Sequence, residues 1–351
     1  HDIYSKLITL RDQMGRNAGF DNFRDFQHQR MHRFDYTPAD CGHFHEAIEK
    51  HCVPLVREMQ KQRATALGFQ TLRPWDLKVD VKGRAPLRPF TNGEDLTAKT
   101  SRTYRNMDAG LSQMFDTMLG GGCLDLDSRK GKAPGGYQYQ RQASRKPFIF
   151  MNAVGLHRDL ITMVHEAGHA FHSLLSKDDP ILMYRGSPTE FAEVASMSQE
   201  LLTLPYLSEF FNEADATRAK RELLEGAIAV LPWVAHIDAF QHWVYLNPTH
   251  SVKDRETKWL ELDARFGGLL DWTGLEQFRA SLWQRQLHLF GMPFYYIEYG
   301  IAQLGALQVW LASLTNEMQA IANYKAGLAL GGSKPLPQLF QTAGIQFDFT
   351  A

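Results

Sequence analysis

Residues 165–169 read His-Glu-Ala-Gly-His, an H-E-x-x-H pattern, and no other stretch restricts the fold as tightly. Two histidines four apart share a face when the segment is an α-helix, where they stand about one turn apart. Both imidazoles can then reach one metal ion. Glu166 follows the first histidine, so its carboxylate can sit beside that ion and act on a water, which is how zinc hydrolases use the pattern. Leu156, Leu160, Ile161, Val164, Phe171, Leu174 and Leu175 give the surrounding run an apolar face and predict a helix over about 157–175. Gly168 inside it costs about 1 kcal/mol relative to alanine, so the missing side chain is expected to matter there.

Two histidines need a third ligand. Ser187-Pro188-Thr189-Glu190 reads as a capping box with proline at the first helical position, predicting a helix through Phe191, Val194, Met197, Leu201 and Leu202. Glu190 would close the box. Glu193, one turn further in, has no such task and is assigned as the third ligand. It follows His169 by 193 − 169 = 24 residues, enough for a turn and a returning helix. Two histidines and one glutamate leave a fourth position for water, as catalytic zinc requires. Asp159 and Ser196 are candidates for orienting the metal histidines. One Zn2+ per chain is expected.

Composition narrows the class. The 351 residues carry a net charge of −1, which offers no electrostatic case for nucleic acid or an anionic membrane. No apolar run is expected to reach the ~20 residues of a membrane span. Cys41, Cys52 and Cys123 have no C-x-x-C spacing, suggesting neither a disulfide framework nor a thiolate zinc cluster, and a reducing cytoplasm fits best. The chain begins at His1 with helical spacing at once, as a fragment or processed protein would.

Elsewhere the pattern is mainly helical. Thr37-Pro38-Ala39-Asp40 marks a helix start. His43, His45 and His51 lie just beyond, at spacings that do not suit a helical metal pair, and are read as surface or capping residues. Leu72 to Val79 reads as short and extended. Helical period runs from about 95 to 119. The glycine-rich stretch 120–137 lacks both phosphate-loop patterns. Lys146 to Asn152 reads as a buried strand more than as an edge for a peptide. His236, Asp238 and His242 share one segment, but its aromatic packing argues against a second metal. Thr273-Gly274-Leu275-Glu276 reads as another capping box, opening a helix to about Phe290.

Gly291-Met292-Pro293 then breaks that helix and lets another begin at Pro293. Tyr295 and Tyr296 each share a face with Tyr299. With His288, such hydroxyls could be donors fixed before an oxyanion develops, although an aromatic core cluster is the commoner use.

Together several blocks resemble the oligoendopeptidase F branch of the thimet-oligopeptidase-like zinc metallopeptidases. They are Arg129 to Tyr137, Pro147 to Asn152, His165 to His172, Thr189 to Val194, and His288 to Gln308, in order from about residue 120 to the end. The resemblance implies a mainly α zincin-type fold, with a small sheet beside the H-E-x-x-H helix and a deep channel. It implies His165, His169 and Glu193 as zinc ligands and Glu166 as general base. It also implies that His288, Tyr296 and Tyr299 face the scissile bond of an oligopeptide substrate. Tyr295 competes with Tyr296, because Phe290-Gly291-Met292-Pro293-Phe294 replaces the family's glycine-rich stretch. The expected activity is zinc-dependent hydrolysis of internal bonds in short peptides. Residues 1–351 are read as one catalytic domain, 1–119 being helical channel wall and 120–351 carrying the zinc site. Relatives have a further N-terminal lobe that this chain is expected to lack. A peptide-binding module without turnover is the alternative.

Overall fold

The computed structural model describes residues 1–349. In chain order its main helices are α1 (Asp2–Asn17), α2 (Phe23–Arg30), α3 (Pro38–Leu67), α4 (Gly93–Met107), α5 (Ala109–Leu119), α6 (His157–Ser176), α7 (Thr189–Leu202), α8 (Glu213–Leu246), α9 (Val252–Phe266), α10 (Glu276–Ala280), α11 (His288–Gly291), α12 (Tyr296–Ala329) and α13 (Leu336–Thr342). Three strands, β1 (Leu124–Asp127), β2 (Tyr137–Arg141) and β3 (Lys146–Ala153), form one small sheet. The fold is mainly α, as expected.

The chain divides into two compact units. The first comprises His1–Ala85, Gly226–Gly300 and the residues from Asp348; the second comprises Pro86–Glu225 and Ile301–Phe347.

In the second unit the sheet order is β1-β3-β2, with β1 parallel and β2 antiparallel to β3. The strand expected at 146–152 is therefore central, paired on both sides, and β2 is an outer strand. Alternate residues of β3 (Pro147, Ile149, Met151 and Ala153) are buried, and α6 packs across β3 and β2. The turn into α6 is fixed by Asp159, whose Oδ2 accepts the backbone N–H groups of Val154 (2.8 Å) and Leu156 (3.0 Å). This is the capping use of an acid in the first helical turn. Leu160, Met163, Val164, Ala167, Ala170 and Phe171 bury the core face of α6, and α7 supplies Phe191, Val194, Ala195, Leu201 and Leu202. Tyr324 of α12, fully buried, donates its hydroxyl to the Ala195 carbonyl at 2.8 Å.

In the first unit α3 begins with the expected box: Asp40 Oδ2 accepts from the Thr37 backbone at 2.7 Å, and Thr37 Oγ1 accepts from the Asp40 backbone at 3.4 Å. Trp259, Trp283, Phe240 and Tyr245 fill the core. Contrary to the sequence expectation, helix α8 is long and apolar enough, by length and composition, to cross a membrane. Its apolar residues Leu231, Val234, Ile237, Phe240 and Val244 are buried in protein.

Four local expectations change. Leu72 makes one bridge to Leu270, but Pro74–Lys78 is a 3₁₀ turn, not a strand. The box at Ser187 does not form: α7 starts at Thr189 with Pro188 as its cap and no side-chain cap bond. At Thr273 the hydroxyl bonds Asp271 Oδ1 (2.6 Å), and only the short α10, a 3₁₀ turn and α11 follow. The helix expected from Pro293 begins at Tyr296, because Phe294 takes a left-handed φ of 66°. That conformation is unusual for a bulky residue. It is held by Gln241, whose Oε1 accepts the Phe294 N–H at 2.7 Å.

Candidate active site

Helices α6 and α7 lie unusually close at Gly168. A Cβ built there would stand 2.5 Å from the Ala195 carbonyl oxygen and 2.7 Å from Ser196 Cα. The expectation that this glycine matters is met by a steric reason: no side chain fits between the two backbones. The approach brings the first turns of α7 against the face of α6 that carries His165 and His169.

His165 Nε2 stands 3.5 Å and His169 Nε2 3.7 Å from the same oxygen, Glu193 Oε2. One ligand atom from each of the three lies within 4.8 Å of the others. Zinc bonds of about 2.0–2.2 Å in a tetrahedron put neighbouring ligand atoms about 3.3–3.5 Å apart. The three side chains are therefore a fit for a single divalent ion.

The outer nitrogens are also anchored. His165 Nδ1 pairs with Glu200 Oε1 at 2.7 Å, and the Ala192 backbone faces the His169 imidazole and favours its charged form. The Glu200 bond aims His165 Nε2 at Glu193. Ser196 Oγ donates to Glu193 Oε2 at 3.0 Å, which fixes the carboxylate. Of the two orienting residues expected, Asp159 caps α6 and Ser196 serves Glu193; neither holds a histidine. Glu200 does so instead. It lies seven residues after Glu193, two turns along one face of α7, and that spacing was the available signal.

Electrostatics follow from this packing. Burial works against charge on His165, but Glu193 and Glu200 on either side hold its imidazolium well above the ordinary range. His169, buried beside His165, is pushed down to about 4. Glu193 is buried too, yet its histidine partners and Ser196 hold it down at about 2. The cluster is thus built to neutralise positive charge, which a divalent cation can supply in place of a proton. Glu166 differs: burial pushes its carboxyl up to about 7, against the opposing pull of His165 and of the Gln138 backbone N–H on β2.

The remaining candidates lie in the first unit and form their own cluster. His288 packs against Tyr295, Tyr296 and Tyr299, with ring centroids at 5.6, 5.2 and 5.9 Å. Gln286 ties the group together: its Nε2 meets His288 Nδ1 at 2.8 Å and its Oε1 accepts from the Tyr296 hydroxyl at 2.8 Å. Gln286, two residues before His288, carries no sequence pattern that would have singled it out.

One further expectation fails. His45, read as a surface residue, is buried and pairs through Nε2 with Asp238 Oδ2 at 2.9 Å. Its partner is 193 residues away, beyond the reach of local spacing.

Comparison with known proteins gives a consistent picture. Residues 1–351 match the family model of peptidase family M3. Among curated relatives, an oligoendopeptidase F homolog of Borreliella burgdorferi is 29% identical over 227 residues, covering 62% of this chain and 37% of the relative. The chromosomal oligoendopeptidase F of Lactococcus lactis subsp. cremoris is 26% identical over 171 residues, covering 48% and 28%. The matched regions thus span about a third of these relatives' length. Among solved structures, PZ peptidase A with inhibitor 2 superposes with a TM-score of 0.93 at 31% identity, over 99% of this chain and 62% of that one. An oligoendopeptidase F from Enterococcus faecium, at 17% identity and a TM-score of 0.65 over 99% of this chain and 55% of that one, shares the fold.

Proposed function

This chain belongs to peptidase family M3, and from that premise we propose that it hydrolyses internal peptide bonds of oligopeptides with one Zn2+ held by His165, His169 and Glu193. The observation that carries the proposal is the convergence of both Nε2 atoms on Glu193 Oε2, at 3.5 and 3.7 Å, with Glu166 adjoining in the chain. When bound, zinc supplies Lewis-acid polarisation of a carbonyl and acidifies a water.

The side chains do the rest. A carboxyl held near 7 takes a proton at neutral pH and can return it, which suits Glu166 to accept the attacking water's proton and pass it to the leaving amine. Glu200 holds His165 in the tautomer that presents Nε2. His288, Tyr296 and Tyr299 are carried into the proposal as oxyanion donors on the resemblance of their block. The Tyr296 hydroxyl donates to Gln286 Oε1 at 2.8 Å, so that proton must leave this bond before it can serve an oxyanion, and Tyr295 stays the alternative.

The test uses internally quenched peptides with metal analysis. Glu166→Gln is expected to keep zinc and to lose about 10²–10⁴-fold in turnover, the worth of a general base. Glu193→Ala is expected to lose zinc. Full turnover by Glu166→Gln would overturn the mechanism, as would an unchanged zinc content in Glu193→Ala. Peptide binding without cleavage by the zinc-loaded wild type would favour the binding-module alternative.

A further inference from the structure

The first unit holds a second cluster of metal-ligating side chains, in the segment whose aromatic packing argued against a metal; that packing takes up His236, stacked on Trp259 at 3.7 Å, while Asp238 and His242 meet Cys41. Helix α3 contributes Cys41 and His45, four apart on one face, and α8 contributes Asp238 and His242, also four apart. One ligand atom from each of Cys41, Asp238 and His242 lies within 4.8 Å of the other two. Cys41 and Asp238 are buried, and Asp238 has no exposed surface at all.

We propose that Cys41 Sγ, the Asp238 carboxylate and His242 Nε2 form a second site for a zinc-class divalent cation, with the fourth position left to water, distinct from the His165 site.

Three observations carry this. His242 Nε2 stands 3.2 Å from Asp238 Oδ2 but lacks hydrogen-bond geometry and has no other partner. That distance is close to the edge of about 3.3 Å between nitrogen and oxygen ligands on one zinc ion. The second is that Asp238 Oδ1 is buried with no hydrogen-bond partner, a costly state for a carboxylate that a cation would relieve. Third, His45 donates to or shares a proton with Asp238 Oδ2 at 2.9 Å, the carboxylate–histidine contact that orients a ligand from outside the coordination shell. The Arg33 guanidinium is already paired with Glu298 at 2.8 Å, so it does not serve as the dedicated counter-ion of Asp238.

The donor set states the chemistry. Thiolate with imidazole selects zinc, cobalt or ferrous ions over calcium or magnesium. Burial keeps the Cys41 thiol well above its ordinary pKa, so the ion must displace the Sγ proton to solvent as the metal–sulfur bond forms. No electron is transferred. With thiolate and carboxylate both anionic, a divalent ion leaves the buried site neutral. His28 Nε2, 4.0 Å from Cys41 Sγ, is the imidazole that faces the sulfur in the metal-free protein.

The competing account is a buried histidine–aspartate–histidine ion pair with no metal. Cobalt separates the two, because the His165 site contains no sulfur. The full chain, loaded with Co2+ alone, is expected to bind two equivalents and to show a sulfur-to-cobalt charge-transfer band in the near ultraviolet. Cys41→Ser should abolish the band and one equivalent. A His165→Ala/His169→Ala double variant should keep the band and lose the other equivalent, which separates this site from the catalytic one. A folded wild type that binds one equivalent without the band overturns the proposal, and that measurement stands even where Cys41→Ser fails to fold.

Discussion

Gly168 on α6 and Ala195 on α7 are packed so that a Cβ at position 168 would fall 2.5 Å from the Ala195 carbonyl oxygen. Backbone, not a movable side chain, occupies that space. The contact also sets how far Glu193 stands from the two histidines of α6.

Gly168→Ala is therefore expected to destabilise. On an exposed helix the same change would gain about 1 kcal/mol, but overpacking against rigid backbone costs about 1–3 kcal/mol, occasionally more, and outweighs it. Separation of the helices should also weaken metal retention. Thermal melts and zinc content of the purified variant check both effects. A variant as stable as wild type with full zinc would mean that the helices can part without cost.

Glu200 acts on the site through His165. Replacing it by glutamine keeps the shape but removes the anionic acceptor at 2.7 Å from Nδ1. Loss of such an outer partner lowers metal affinity by about 10–100-fold. Competition with a coloured chelator measures this directly. Turnover at saturating zinc should fall far less than in Glu166→Gln, since Glu200 positions a ligand and handles no substrate proton. An affinity equal to wild type would remove Glu200 from the site.

How far the sequence foretells the site can be judged from these residues. The helix around His165 was legible almost to its ends, 157–175 expected against 157–176 observed, because its apolar period and its motif agree. Glu193 is reached through a capping box that does not form; Pro188 caps α7 instead, and the candidate still lies one turn inside a correctly placed helix. Glu200 needed the knowledge that α7 turns its Glu193 face to α6. His45 and Asp238 needed tertiary structure altogether, since their meeting depends on how α3 and α8 pack. Phe294 shows a further limit: its left-handed backbone is imposed by Gln241 and is not a local preference.

Tyr324 offers a narrower test of the support behind α7. Its hydroxyl donates to the Ala195 carbonyl, the same group that crowds Gly168. Tyr324→Phe removes one buried hydrogen bond and little volume, so about 1 kcal/mol of stability should be lost. The urea midpoint should fall with an unchanged slope, as expected when the compactness of both states is kept. An unchanged midpoint would show that the bond contributes nothing net.

His157, at the start of α6, makes a prediction about acid stability. Its imidazole is largely withdrawn from water with Nδ1 unpartnered, and burial lowers its pKa below the ordinary value near 6.5, while Glu222 opposes and Arg218 assists. Above that value both folded and unfolded chains carry it neutral, and it adds no pH dependence. As the pH falls below 6.5, the unfolded chain takes up a proton that the folded chain resists, so stability is lost until the folded pKa is reached. One proton corresponds to a slope of about 1.4 kcal/mol per pH unit at most, reduced in practice because the ring retains some solvent contact. His157→Phe, which can pack against Phe211 as the imidazole does at 5.7 Å, should flatten the acid limb of stability below pH 6.5 relative to wild type and leave the neutral plateau's slope unchanged. Urea titrations at a series of pH values, with both proteins saturated in zinc, measure the difference; parallel limbs for the two proteins would show that His157 is protonated as readily in the folded chain as in the unfolded one.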